Sequence, residues 1–197
     1  MRKLTVDDIV DMRAYERERD ELRRCIIELK RIRRVALGPI MTMVFENTVT
    51  MRWQVQEMAR AERMMRDEQI AHEVETYNQL IPDTNELSAT LMIELTSEPA
   101  LREWLPRLVG IHNRIAFVLA DGTRVFGEVS EEDELRLTRD DITAAVHFLK
   151  FRFTPDQVEM FAGGPVHIVV DHPEYDQDVL ITPELHAELS SDLRDAS

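Results

Sequence analysis

Apolar positions recur at two distinct periods along this 197-residue chain. Leu22, Cys25, Ile26 and Leu29 fall at i, i+3, i+4 and i+7, with Ile32 one turn further. That spacing predicts a helix over about 15–33 with one apolar stripe and an outer face that is nearly all charge. Ahead of it, Thr5 followed by Asp7 and Asp8 reads as the cap of a short helix over 6–12. A second long helix is expected from Thr48 or Thr50 to about 66, and a third over 67–79, ended by Ile81-Pro82-Asp83. In the second, Met51, Val55, Met58, Glu62 and Met65 share one stripe, and Trp53, Glu57, Ala61 and Met64 share another. A carboxylate therefore interrupts each apolar stripe.

Between the helices the period falls to two. Short strands are predicted over 35–37 and 40–45, separated by Gly38-Pro39, and another over 87–95. Asp121-Gly122, between apolar runs over 115–120 and 123–129, is the strongest hairpin signal in the chain. Residues 144–153 alternate cleanly, placing His147, Leu149, Phe151 and Phe153 on one face, after an acidic connector over 130–141. Two further strands, over 166–170 and 178–181, precede a C-terminal helix opened by Thr182-Pro183-Glu184 that frays at its last three residues. Seven or so strands among five or six helices, with no βαβ rhythm, point to an α+β fold with a mainly antiparallel sheet. The expected organisation is one domain over 1–197, with an N-terminal helical arm (1–33) packed on an α+β body (34–197).

Charge changes this picture in one place. The net charge is −14, yet between Arg13 and Arg34 nine Lys/Arg stand against five Asp/Glu. A negative body disfavours nucleic acid, while the basic helix suits an acidic partner or the acidic body of a second copy; the plainer reading is a solvated helix laced with ion pairs. No apolar run reaches the roughly 20 residues of a membrane span, and no signal peptide is evident, so a cytoplasmic protein is expected. The lone Cys25 permits no internal disulfide and reads as a small buried residue.

Candidate chemistry centres on the acids of the second long helix. A buried carboxylate needs a partner or a metal, so Glu57 and Glu62, with His147 converging from the sheet, form a candidate iron or other divalent-metal site. Pairing with Arg52, Arg60 or Arg63 is the simpler account. His72, with Glu68 at i−4 and Glu75 at i+3, reads as a surface ion pair before a ligand set. His147 itself fits a hydrogen-bonded core residue. Asp171-His172-Pro173 sits where a strand ends, His112 follows a helix end, and His186 lies in an exposed helix. Seven of ten methionines lie between Met41 and Met92, which suits an irregular core or a dimer seam better than Cu(I). Nucleotide-binding glycine motifs, a Gly-x-Ser-x-Gly elbow and Cys-x-x-Cys do not occur.

The runs RRVALGP (33–39), RWQVQEMARAER (52–63), YNQLIPD (77–83), ATLMIE (89–94), AVHFLKF (145–151) and DHPEY (171–175) resemble a bacterial domain-of-unknown-function family numbered 3501. The resemblance implies no activity. It implies genes that lie beside rubrerythrin-like and iron–sulfur oxidoreductases, and so a role near peroxide defence or iron. The expectation is an accessory or interaction protein for such partners, and a homo-oligomer, with no nucleic acid and no membrane. A carboxylate/histidine metalloprotein is the alternative. A small-ligand sensor with its pocket between the long helix and the sheet is the third.

Overall fold

Asp11 opens the first long helix, its side chain accepting from the N–H groups of Arg13 and Ala14. The helix, α1 (Met12–Ile32), starts three residues before the start expected near 15, because this cap and not the apolar stripe sets its first turn. The computed structural model describes residues 1–129, 138–139 (backbone only) and 142–194. The acidic connector and the last three residues fall outside these, apart from that short stretch. What reads as a short helix near the N-terminus is a single 3-10 turn, η1 (Val6–Asp8).

Strands β1 (Arg34–Ala36) and β2 (Met41–Glu46) follow, then α2 (Thr48–Ala61) and α3 (Asp67–Asn78). Asn47, not Thr48 or Thr50, caps α2; it accepts from the Thr50 N–H, and the Thr50 hydroxyl accepts from the Asn47 N–H. The helix stops at Ala61, and Arg63 takes φ +54, a left-handed residue that separates it from α3. Then come β3 (Glu86–Ile93), α4 (Glu98–Arg107), η2 (Ile111–Arg114), β4 (Ile115–Val118) and β5 (Arg124–Glu128). A two-residue pairing, β6 (Thr138–Arg139) with β7 (Ile142–Thr143), leads into β8 (Val146–Arg152), and α5 (Pro155–Gly163) follows. The hairpin β9 (His167–His172)–β10 (Tyr175–Leu180) and helix α6 (Pro183–Arg194) complete the described chain.

Eight strands form one sheet in the order β1-β2-β3-β8-β5-β4-β9-β10, every pair antiparallel. This is the α+β architecture the patterning predicts. The sheet curls until its two edges meet. Tyr175, in the edge strand β10, donates through its hydroxyl to the Leu37 carbonyl in the β1–β2 turn at 2.6 Å. Gly38 makes the approach possible: it has φ +76, and a Cβ there would lie 2.5 Å from that hydroxyl.

The concave face holds the main core. Odd-numbered residues of β2, β3 and β8 (Met43, Phe45, Leu91, Leu149, Phe151) point into it and meet α5 and α6 through Phe161, Leu185 and Leu189. Phe117 is its hub, with ring centroids 4.8–5.7 Å from Phe45, Phe151, Phe153 and Phe161. A second, smaller core joins η1 to the helices through Leu4, Ile9, Met51, Val55, Val74 and Ile81. One residue ties the N-terminal helix to the end of the chain. Arg33, fully buried, donates to the carbonyls of Phe45 (2.9 Å) and Glu46 (3.3 Å), to Glu188 (3.2 Å) and to the buried carboxylate of Asp192.

Candidate functional site

The acids that broke the stripes of α2 have separate fates. Glu57 faces α1, not the sheet. Arg19 grips it with two bonds, Nε to Oε1 at 2.7 Å and Nη2 to Oε2 at 2.9 Å, and the Tyr15 hydroxyl donates to Oε1 at 2.6 Å. Arg60 approaches the same carboxylate at 3.5 Å. The Arg19 bond above all, helped by Tyr15 and opposed by desolvation, holds the Glu57 carboxyl down to about 2. Burial and that same carboxylate push the Tyr15 phenol up. Glu57 is therefore an anion at the seam of two helices, and its oxygens are occupied. Glu62 is the C-terminal cap position of α2 and is exposed.

His147 lies on the concave face of β8, whereas α2 packs against the opposite, convex face, as Met51 and Gln54 do in the cleft described below. Its Nε2–H donates to the Ala144 carbonyl at 2.8 Å, with the Thr143 hydroxyl 3.2 Å away. The ring stacks on the buried His112 at 5.5 Å. Desolvation first, then the neighbouring His112, pushes its pKa down to about 4, so it is neutral. Glu57, Glu62 and His147 are not brought together, because helix and strand direct them to different sides of the sheet. Among the described residues no three His, Cys, Asp or Glu side chains converge on one point.

The other histidines serve the fold. His172 donates to the Val109 carbonyl and accepts from the Glu174 N–H. His186 is half-buried, not exposed: it donates to the Phe161 carbonyl at 2.7 Å and stacks on that ring. His72, Glu68 and Glu75 are exposed on α3. Cys25 is also exposed, against expectation, because α1 buries only Tyr15 and Ile26.

That thin packing leaves a groove of about 300 Å³ between α1 and α2, lined by Val10, Leu22, Cys25, Val49 and Trp53 among others. Around Trp53 and Ile26 it continues into a shallower surface of about 420 Å³ bordered by Arg23, Lys30, Arg31 and Arg34. Val10, Ile27 and Val49 are 45%, 53% and 50% exposed there, a high value for aliphatic side chains.

The convex face of the sheet forms the second concavity. Register aligns Arg34, Val44, Thr90 and Phe148 as one row across β1, β2, β3 and β8. The next row is Glu46, Ser88 and Lys150. Over these rows α2 and α3 leave a cleft of about 280 Å³, roofed by Met51, Gln54, Tyr77 and Leu80 and bordered by Lys30. A neighbouring cavity of about 290 Å³ shares Leu80 and Phe148 with it. Glu46 is only 5% exposed. Its Oε1 accepts from the Thr90 hydroxyl at 2.8 Å, and its Oε2 makes no hydrogen bond among the described residues. The strand predicted over 40–45 ends one residue short of Glu46, which the structure places inside β2. The available signal was alternation, which sets it on the Val44 side of a strand followed at once by a helix that must fold back over that side.

The profile of a family described as "Protein of unknown function (DUF3501)" matches residues 3–193. The chain belongs to that family. A solved structure from Burkholderia pseudomallei, titled a novel protein of unknown function, is 35% identical, with a TM-score of 0.89 over 98% of this chain and 100% of that one. The DUF3501 chain thus shares its curled sheet and helices with a solved relative. No curated protein matches it. Among the described residues no helix of this DUF3501 protein is long and apolar enough to cross a membrane.

Proposed function

We propose that the protein is a non-catalytic accessory protein that docks an acidic protein partner through the α1–α2 face. The observation that carries this reading is the exposed apolar strip of Ile27, Val49 and the half-buried Trp53, bordered by Arg23, Lys30, Arg31, Arg34 and Arg52, which outnumber the two acids of the groove, Asp8 and Glu18. An apolar centre with a basic rim is the anatomy of an interface that takes an aromatic or aliphatic anchor from an acidic surface. Charge argues for a different protein over a two-fold second copy, which would set one arginine-rich rim against its equal. The iron–sulfur and rubrerythrin-like oxidoreductases implied by the family resemblance are the partner class to test.

Calorimetry with such a purified oxidoreductase, at low and high salt, is the experiment. Binding is expected to weaken with salt, and Trp53→Ala to weaken it at least about 10-fold with the helical circular dichroism unchanged. Salt-independent binding, indifference to Trp53→Ala, or a two-fold dimer that buries Trp53 in solution overturns the reading.

A further inference from the structure

The cleft on the convex face carries chemistry that docking does not use. We propose that it binds a small zwitterion with an apolar side chain, of the free amino-acid class, with its ammonium group on Glu46 and its carboxylate on Arg34 and Lys30.

Glu46 is the reason to look for a ligand. A buried carboxylate oxygen without a donor is costly, and such positions persist where something outside the chain supplies the donor. Two features say what the donor belongs to. First, Thr90 already occupies Oε1, so the remaining oxygen offers one strong, directional place for an N–H group with positive charge. Second, Lys30 and Arg34 line the same cleft. Among the described residues Arg34 reaches one carboxylate, Glu94, at 3.4 Å, the long limit of a hydrogen bond, with both side chains about half exposed. A simple cation would meet these two bases, a simple anion would meet Glu46, and a neutral apolar molecule would leave Glu46 unanswered. A molecule with both charges satisfies both ends.

The two ends share one face of the sheet: Glu46 is two residues beyond Val44, which pairs with Arg34 in the next strand. The remaining lining is mainly apolar, with Met51, Leu80, Met92, Val146 and Phe148 beside Gln54 and Tyr77. Two of these are methionines, which adapt to irregular shapes. The polar pair therefore fixes orientation while the apolar wall takes the side chain, the usual division in small-molecule sites.

The test is titration of the full chain, by calorimetry and ligand-observed NMR, with L-phenylalanine, L-methionine and L-leucine. Each is compared with its decarboxylated amine and its deaminated acid. At least one amino acid is expected to bind 10-fold or more tightly than both of its singly charged analogues. Glu46→Gln keeps size and an acceptor for Thr90, and is expected to weaken that amino acid at least 10-fold while the melting temperature stays equal or rises. Arg34→Gln should weaken the amino acid and the deaminated acid but not the amine. No binding by any amino acid, equal binding by an analogue, or binding unchanged in Glu46→Gln overturns the proposal.

Discussion

Arg33 is the residue whose loss should be felt most, and the structure says by how much. Its guanidinium is completely buried and satisfies two main-chain carbonyls at the end of β2 and two carboxylates on α6. Arg33→Met keeps an apolar stem of similar length but withdraws the positive charge from Asp192, which is 8% exposed. Breaking one side of a buried ion pair costs about 3–5 kcal/mol, because the partner charge stays out of water. Against a typical total stability of about 5–15 kcal/mol this is a large fraction. For a chain of this size it corresponds to a fall in Tm of about 6–20 °C. Urea unfolding, followed in parallel by far-ultraviolet circular dichroism and tryptophan fluorescence, measures it. The partner variant Asp192→Leu, combined with Arg33→Met, closes a double-mutant cycle. If the argument is right, the double variant recovers about 2 kcal/mol or more of the single loss, because no buried charge remains. A single-variant cost below about 1 kcal/mol, or a double variant that is worse by the simple sum, would refute it.

Three smaller predictions concern titration and metal. His147, held at about 4 against an ordinary value of 6.5, binds its proton more readily when unfolded, so its contribution is complete above pH 6.5 and is lost as pH falls to 4; about 3 kcal/mol should disappear across that window, and equilibrium unfolding of His147→Gln should lack that slope. Glu57, held near 2 against an ordinary 4.5, adds stability above pH 4.5 that is lost as pH falls further, so acid unfolding in this lower window should flatten in Glu57→Gln. Because Arg19 and Tyr15 occupy its oxygens, the same variant should leave the metal content of untagged protein unchanged by elemental analysis; loss of a stoichiometric metal would revive the Glu57–Glu62–His147 donor set.

What could be read from sequence follows the range of the interactions concerned. Alternation over 144–153 sorts His147 and Phe151 from Phe148 and Lys150, and β8 shows that sorting as concave against convex face. The fold class follows from the same local periods. The partners of Glu57 lie 38 and 42 residues earlier, so the stripe of α2 announces an acid in need of a partner without saying which helix brings it. Arg33 is more remote still: Glu188 and Asp192 are 155 and 159 residues away, and in sequence it is one base among the nine of a helix that looks solvated. Cys25 shows the converse limit. The stripe Leu22–Cys25–Ile26–Leu29 marks the apolar side of α1 correctly, but amphipathicity states which side seeks cover and not how much cover the chain provides.

That gap in cover and the carboxylate of Glu46 are separate arguments, and they lead to separate consequences. The apolar strip on α1 and α2 is solvent-facing surface that does not stabilise the chain, and the docking proposal rests on it. Glu46 lowers stability without serving the core, since Thr90 would be satisfied equally by an amide at that position. Lys30 and Arg34 border both places, so variants of these two bases would weaken either event and distinguish nothing. Trp53 and Glu46 do distinguish, because each lines one concavity and not the other. Trp53→Ala should weaken docking at least about 10-fold and spare amino-acid binding, while Glu46→Gln should do the reverse. If the two events are linked through the shared bases, saturation with the amino acid should change partner affinity, and the partner should change amino-acid affinity by the same factor.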